Sequence, residues 1–240
     1  VYDGIGEGGD HTLVIDRRSE DAVFAELEAL AADGASFVAI SEERGEVGFG
    51  EGGDVRVVID PIDGSLNARR NIPSFSLSFA VASGPSMADA EFGYVYDFGA
   101  GEEFFARRGE GAFLGGRPLR TRRSERGLVV VGLESAKPEF ALPVIEALAG
   151  DVYRLRVIGS IAITMSYVAA GRLDGMLSLR PCRSVDAAAA QLIVREAGGH
   201  VCFAGCPEPL GAPLDVVSHF PVVAARTERA LHELSRIPIR

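Results

Sequence analysis

Residues 55–70 read VRVVIDPIDGSLNARR. An apolar, β-branched run stops abruptly at Asp60-Pro61-Ile62-Asp63-Gly64-Ser65. The run VRVVID (55–60) is too apolar for an edge and predicts a strand buried on both faces. Pro61 fixes its own backbone angle and pushes Asp60 toward an extended conformation. Gly64 permits a sharp bend. Such a bend aims Asp60, the Ile62 carbonyl and Asp63 at one point. It also leaves the Gly64 and Ser65 N–H groups available to an anion. Taken alone, the segment also reads as an ordinary acidic turn, because Asp-Pro and Asp-Gly are common turn formers.

The neighbouring segments favour a built site. SFVAI (36–40) predicts a short strand that runs into Ser41-Glu42-Glu43-Arg44. If this strand lies beside 55–60, the two acidic ends converge. Upstream, 17–32 carries Val23, Leu27 and Leu30 at helical spacing, and Gly34 stops the helix. Residues 1–12 and 45–54 are glycine-rich and read as loops.

From residue 72 the pattern turns to strand. Phe75, Leu77 and Phe79 alternate with serines in 72–83, and 90–97 and 102–108 follow after short turns, as in an antiparallel meander. From 127 strands and helices alternate. Strands are expected at 127–133, 152–158 and 173–179, and helices at 137–150, 160–171 and 186–197. Late strands are expected at HVCFA, VVSHF and PVVAA, before a last helix in TERALHELSRI. The expected organisation is two mixed α/β lobes, 1–126 and 127–240, joined without a linker into one continuous catalytic unit. No internal repeat is visible.

Hard cations such as Mg²⁺ take oxygen ligands, commonly a few carboxylates with water and a substrate phosphate, and a strand end is a rigid mount for them. Asp186 opens the helix DAAAAQLIVREAGG. Its position also suits a first-turn acid that does no more than stabilise the helix dipole.

The 240-residue chain is 47% apolar, with a formal charge of −10. That balance argues against nucleic acid or an anionic membrane as the main partner. Lys137 is the only lysine. Cys182, Cys202 and Cys206 are odd in number and widely spaced, which reads as core thiols in a reducing cytoplasm. Cys202 and Cys206 lie near His200, but nothing nearby completes a zinc set. No apolar run reaches the ~18 residues of a membrane span, and no signal peptide opens the chain. The abrupt start suggests a missing upstream segment.

DPIDGSLNARRNIP resembles the first signature of the inositol monophosphatase family, and SVDAAAAQLIVREAGG resembles the second. SEERG is similar to the acidic pair before the first signature, GGDHTLVIDRRSED to the early Thr…Asp segment, and RVIGSIAITMSYVAAGRLDG to the substrate-side helix. The compact length, the GGDHTLVID start and LRPCRSVD look most like the archaeal type, whose members act on fructose 1,6-bisphosphate and inositol 1-phosphate.

The resemblance implies an α/β sugar-phosphatase fold in alternating α-β-α-β-α layers. It also implies Mg²⁺-dependent phosphomonoester hydrolysis with two or three ions per site, usually in a homodimer. Glu42, Asp60 and the Ile62 carbonyl would hold one ion. Asp60, Asp63 and Asp186 would hold a second, and Asp16 with Glu42 or Glu43 a third, weaker one. Ser65 and Asp16 would orient the attacking water. Asp63, Gly64 and Ser65 would face the phosphate, while Arg156, Ile161 (by its N–H) and Arg180 would contact the rest of the substrate. Three positions depart from the usual pattern: Ser65 stands for the commoner Thr, Leu13 for a Lys frequent in archaeal relatives, and Val185 for a larger residue. Phosphatases of 3′-phosphoadenylate-type nucleotides or of NADP share these signatures. An inactive metal-binding regulatory domain would show damaged ligands, whereas every expected carboxylate is present.

Overall fold

Two sheets organise the residues that the computed structural model describes, which are 2–5, 11–121 and 127–239. The first sheet contains β3 (Phe37–Ser41), β4 (Gly45–Phe49), β5 (Arg56–Asp63), β6 (Ser76–Ala82), β7 (Ala90–Asp97), β8 (Glu102–Arg107), β9 (Gly111–Leu114) and β10 (Arg117–Leu119). Its order is β10-β9-β8-β7-β6-β5-β3-β4, antiparallel except where β3 runs parallel to β5. The second sheet contains β11 (Val130–Glu134), β12 (Arg154–Arg156), β13 (Gly175–Ser178), β14 (His200–Phe203) and β15 (Val222–Ala225), in the order β12-β11-β13-β15-β14. β1 (Tyr2–Ile5) and β2 (His11–Leu13) form a separate antiparallel pair. The helices are α1 (Val14–Ala32), α2 (Ser65–Arg69), α3 (Pro138–Leu148), α4 (Ile161–Ala169), α5 (Ser184–Glu196) and α6 (Glu228–Ser235).

The period-two alternation of β3 and β5 sends side chains to opposite faces and so builds the layers. Ala39, Val57 and Ile59 pack with Phe24 and Leu27 of α1 on the outer face. Ile40 and Val58 point the other way and share a core with Met165 and Val168 of α4 and with Leu192 of α5. Met176 and Ala224 of the second sheet close that same core from its far side. Val131, Leu133, Leu177 and Val223 turn outward and are covered by Val144 and Leu148 of α3 and by Ala230 and Leu234 of α6. The layers therefore run α-β-α-β-α, as the resemblance implied. Leu192 is fully buried at the centre, where truncation to alanine costs about 2–5 kcal/mol.

Some local expectations are corrected. Residues 45–49 form β4 rather than a loop, because Val47 and Phe49 pack on the α1 core and Phe49 stacks on Phe37 with ring centroids 4.9 Å apart. Strands also occupy part of the expected loop at 1–12, of which 1 and 6–10 lie outside the described residues. VVSHF forms no strand beyond a single bridge from Phe220 to Cys182. Instead, the Asp215 carboxylate accepts the N–H groups of Val217 and Ser218 and curls the segment into a turn. Neither β9–β10 nor α2 was foreseen.

Candidate metal centre

The site begins with strand register. β3 lies parallel to β5 with Ser41 opposite Ile59, so Glu42 and Asp60 leave the same end of the sheet side by side. On the other flank, Asp60 pairs with Ser78 and Asp63 with Ser76. β5 thus advances three residues while β6 advances two. This one-residue bulge lets Asp60 and Asp63 share a face that strict alternation would deny them. Pro61, having no N–H to give the ladder, suits the bulge. The bulge does the aiming that the sequence assigned to the bend at Gly64. Gly64 itself has φ 91°, and a Cβ there would lie 2.9 Å from the Gly159 carbonyl oxygen and 3.0 Å from that of Ser74. Glycine is required because two other backbone segments close on it.

Asp186 arrives from the middle layer, in the first turn of α5. The alanine run of α5 lets the helix approach the first sheet closely. A Cβ on Gly93 of β7 would lie 2.5 Å from the Ala189 carbonyl oxygen. The Ser78 hydroxyl, opposite Asp60, donates to the Val185 carbonyl (3.2 Å) and pins the helix start to β6. As a result, carboxylate oxygens of Glu42, Asp60 and Asp186 all lie within 4.8 Å of one another. Asp60 is 5% exposed and Asp63 7%. The Ile62 N–H donates to Asp60 Oδ1 (2.9 Å), and the Arg183 N–H to Asp186 Oδ2 (2.9 Å). Arg183 also pairs with Glu42 through its guanidinium (2.8 Å).

Burial, reinforced by Asp63, Glu42 and Asp186, holds Asp60 well above the usual carboxylate range. Burial and then Asp186 push Asp63 up to about 7, against hydrogen bonds from Ser160 and the α4 backbone. Carboxylates this close and this buried cannot all be ionised without positive charge between them. An all-oxygen set at these distances suits a hard divalent cation.

Asp63 is held from behind. Its Oδ2 accepts the Ser160 hydroxyl (2.5 Å) and the Ala162 N–H (2.8 Å). Ser76 Oγ lies 3.5 Å from the same oxygen. Asn67 of α2 donates to the carbonyls of Ser74 and Ile158, both at 2.8 Å, locking the Gly64 turn to the segment before α4.

The inositol monophosphatase family model matches residues 3–237. The chain belongs to the inositol monophosphatase family. It is a phosphatase of the phosphoric monoester hydrolase class. Over 213 residues it is 33% identical to a fructose-1,6-bisphosphatase/inositol-1-monophosphatase of Methanothermobacter thermautotrophicus, covering 82% of this chain and 72% of that one. A Nus factor SuhB of Pasteurella multocida is 36% identical over 202 residues, covering 80% and 72%. Among solved structures, the MJ0109 gene product, an inositol monophosphatase–fructose 1,6-bisphosphatase, superposes with a TM-score of 0.86 at 28% identity, covering 99% of this chain and 89% of that one.

The remaining expected site positions lie on several elements. Asp16 is half-buried in the first turn of α1, and Glu43 is half-buried next to Glu42. Asp16, Glu43 and Asp63 fall outside the set that closes within 4.8 Å. Ser65 opens α2, and Ile161, buried, opens α4. Arg156 and Arg180 are exposed beside the C-terminal ends of the parallel strands β12 and β13. The Arg180 guanidinium lies over the Phe140 ring, 5.2 Å from its centroid. Val185 is fully buried, and the Leu13 side chain lies outside the described residues. Sequence reading missed Arg183, Ser160 and Asn67. A serine directly before an apolar helical run was the available signal for Ser160, whose hydroxyl also caps α4. Among the described residues no helix is long and apolar enough to cross a membrane.

Proposed function

We propose that the protein is a Mg²⁺-dependent phosphatase that hydrolyses fructose 1,6-bisphosphate, inositol 1-phosphate or both, its two lobes acting as one catalytic unit. The observation that carries this reading is the convergence of Glu42, Asp60 and Asp186 within 4.8 Å at the ends of β3, β5 and the start of α5. The names of the archaeal relatives support the substrate class. Glu42, Asp60 and the Ile62 carbonyl would hold one ion. Asp60, Asp63 and Asp186 would hold a second, and Asp16 with Glu42 or Glu43 a weaker third. Bound there, Mg²⁺ supplies Lewis acidity that neutralises phosphate charge, acidifies water and stabilises the leaving alkoxide.

The protein's own groups do the positioning on which phosphoryl transfer chiefly depends. Ser65 and Asp16 orient a water against phosphorus. The water oxygen forms the new P–O bond and gives up a proton, the ester P–O bond breaks, and the leaving alkoxide takes up a proton, so that ester and water become alcohol and inorganic phosphate. Gly64 and Ser65 present N–H groups to the phosphate at the start of α2, where a helix leaves its first donors without intrahelical partners. Arg156 offers a cation to the rest of the substrate, whereas the Ile161 N–H lies against Asp63. Arg180, steadied by Phe140, takes the second phosphate through its planar fork. A homodimer and a cytoplasmic setting complete the proposal, on the strength of the resemblance.

The test is phosphate release from fructose 1,6-bisphosphate, inositol 1-phosphate, 3′-phosphoadenylate and NADP, with Mg²⁺ and with EDTA. Turnover of one or both of the first two, in Mg²⁺ and not in EDTA, is expected. Preference for either nucleotide replaces the substrate assignment, and no turnover of any ester overturns the catalytic one.

A further inference from the structure

Glu134 ends β11 and is 1% exposed. Among the described residues, no basic side chain forms an ion pair with it. Burying a lone carboxylate is costly unless donors surround it. Here three donors do. Oε1 accepts the Ile158 N–H (3.2 Å) and the Thr164 hydroxyl (2.6 Å), and Oε2 accepts the Gly159 N–H (2.9 Å). Burial pushes this carboxyl up to about 7. All three donors belong to one stretch, 158–164. The opposite side of that stretch holds Asp63, through the Ser160 hydroxyl and the Ala162 N–H. The Ile158 carbonyl also receives Asn67, and the Gly159 carbonyl lies against Gly64. Residues 158–162 are therefore a strap fastened to Glu134 on one side and to the acidic centre on the other.

We propose that Glu134 is a positioning residue for the metal centre: a buried anchor that sets where Ser160 and Ala162 present their donors to Asp63. The inference rests on the reading of Asp63 as a metal ligand. An amide at 134 keeps the side chain's size but, in either orientation, turns an NH₂ group toward a backbone N–H, so the strap must shift. A brace for the fold alone would affect stability and leave metal affinity untouched.

The experiment is calorimetric titration of Mg²⁺ into metal-stripped wild type, Glu134→Gln, Ser160→Ala and their double variant, each checked for fold by circular dichroism. The expected rise in Kd is about tenfold for each single variant, the low end of the effect of losing an outer hydrogen-bond partner of a metal ligand. The double variant is expected to be no worse than the poorer single one, because both break the same linkage. A folded Glu134→Gln that binds within twofold of wild type overturns the proposal. So do fully additive effects. Should Glu134→Gln fail to fold, Thr164→Val removes one donor with little change of shape. A two- to threefold rise in its Kd, about what one weakened link of three produces, supports the anchor, and an unchanged Kd overturns it. Asp63→Asn runs alongside. Wild-type affinity in that variant overturns the metal reading itself, an outcome distinct from failure of Glu134 alone.

Discussion

Asp60 is 5% exposed and sits where a bulged strand, a parallel neighbour and a helix start meet, whereas Arg180 is exposed beyond the end of β13 and rests on Phe140. The acidic floor is placed by backbone register. Three elements, two strands of one sheet and a helix of the middle layer, must be correct before its oxygens come together. The proposed basic rim depends on long side chains at exposed positions. Floor substitutions should therefore be nearly all-or-none and independent of substrate. Rim substitutions should be graded and should discriminate between substrates.

The largest expected effect tests the floor. Asp60→Asn should lower kcat on every phosphate ester by roughly a thousandfold, because metal stabilisation of the transition state is worth several kcal/mol. The circular dichroism spectrum should stay unchanged. Near-normal turnover in a steady-state assay would remove Asp60 from the ion-binding set.

Arg180→Ala tests the rim. KM for fructose 1,6-bisphosphate should rise about tenfold, the scale of one exposed charge-assisted hydrogen bond. Inositol 1-phosphate should change by no more than about twofold, since it has no second phosphate for the guanidinium to hold. Equal losses on the two substrates would take second-phosphate recognition away from Arg180 and erase the distinction between floor and rim.

A smaller effect lies in stability. Asp63 titrates at about 7 in the fold against an ordinary 3.8, and Glu134 at about 7 against 4.5. Across that window the folded protein keeps protons that the unfolded chain releases. Metal-free stability should therefore fall as pH climbs from about 4 to about 7. Added Mg²⁺ should flatten the slope by replacing the Asp63 proton. Thermal unfolding between pH 4.5 and 8, in EDTA and in Mg²⁺, measures this. A midpoint that rises with pH in EDTA contradicts it.

What was legible in the sequence follows the same division. The apolar run before Asp60, the alanine-rich helix after Asp186 and the acidic pair after SFVAI could be read because burial on both faces and close helix packing demand those residue types. The β5 bulge could not. DPIDG reads as a turn until Ser76 and Ser78 are known to face Asp63 and Asp60. The donors to Asp63 were hidden by distance, Ser160 lying 97 residues away along the chain. Arg183 had no periodic signal, because its pairing with Glu42 depends on how β3 and α5 dock. β4 was masked by its glycines, whose effect on propensity is overridden by two side chains that reach the α1 core.

The most direct test is to titrate Mg²⁺ into metal-stripped wild type and Asp186→Asn while measuring both heat and phosphate release. Loss of one ligand should weaken binding about tenfold or more, and the Mg²⁺ needed for half-maximal phosphate release should rise by the same factor. Undiminished phosphate release in EDTA, or equal Mg²⁺ affinity in the two proteins, would contradict the assignment of Glu42, Asp60 and Asp186 as the catalytic metal centre.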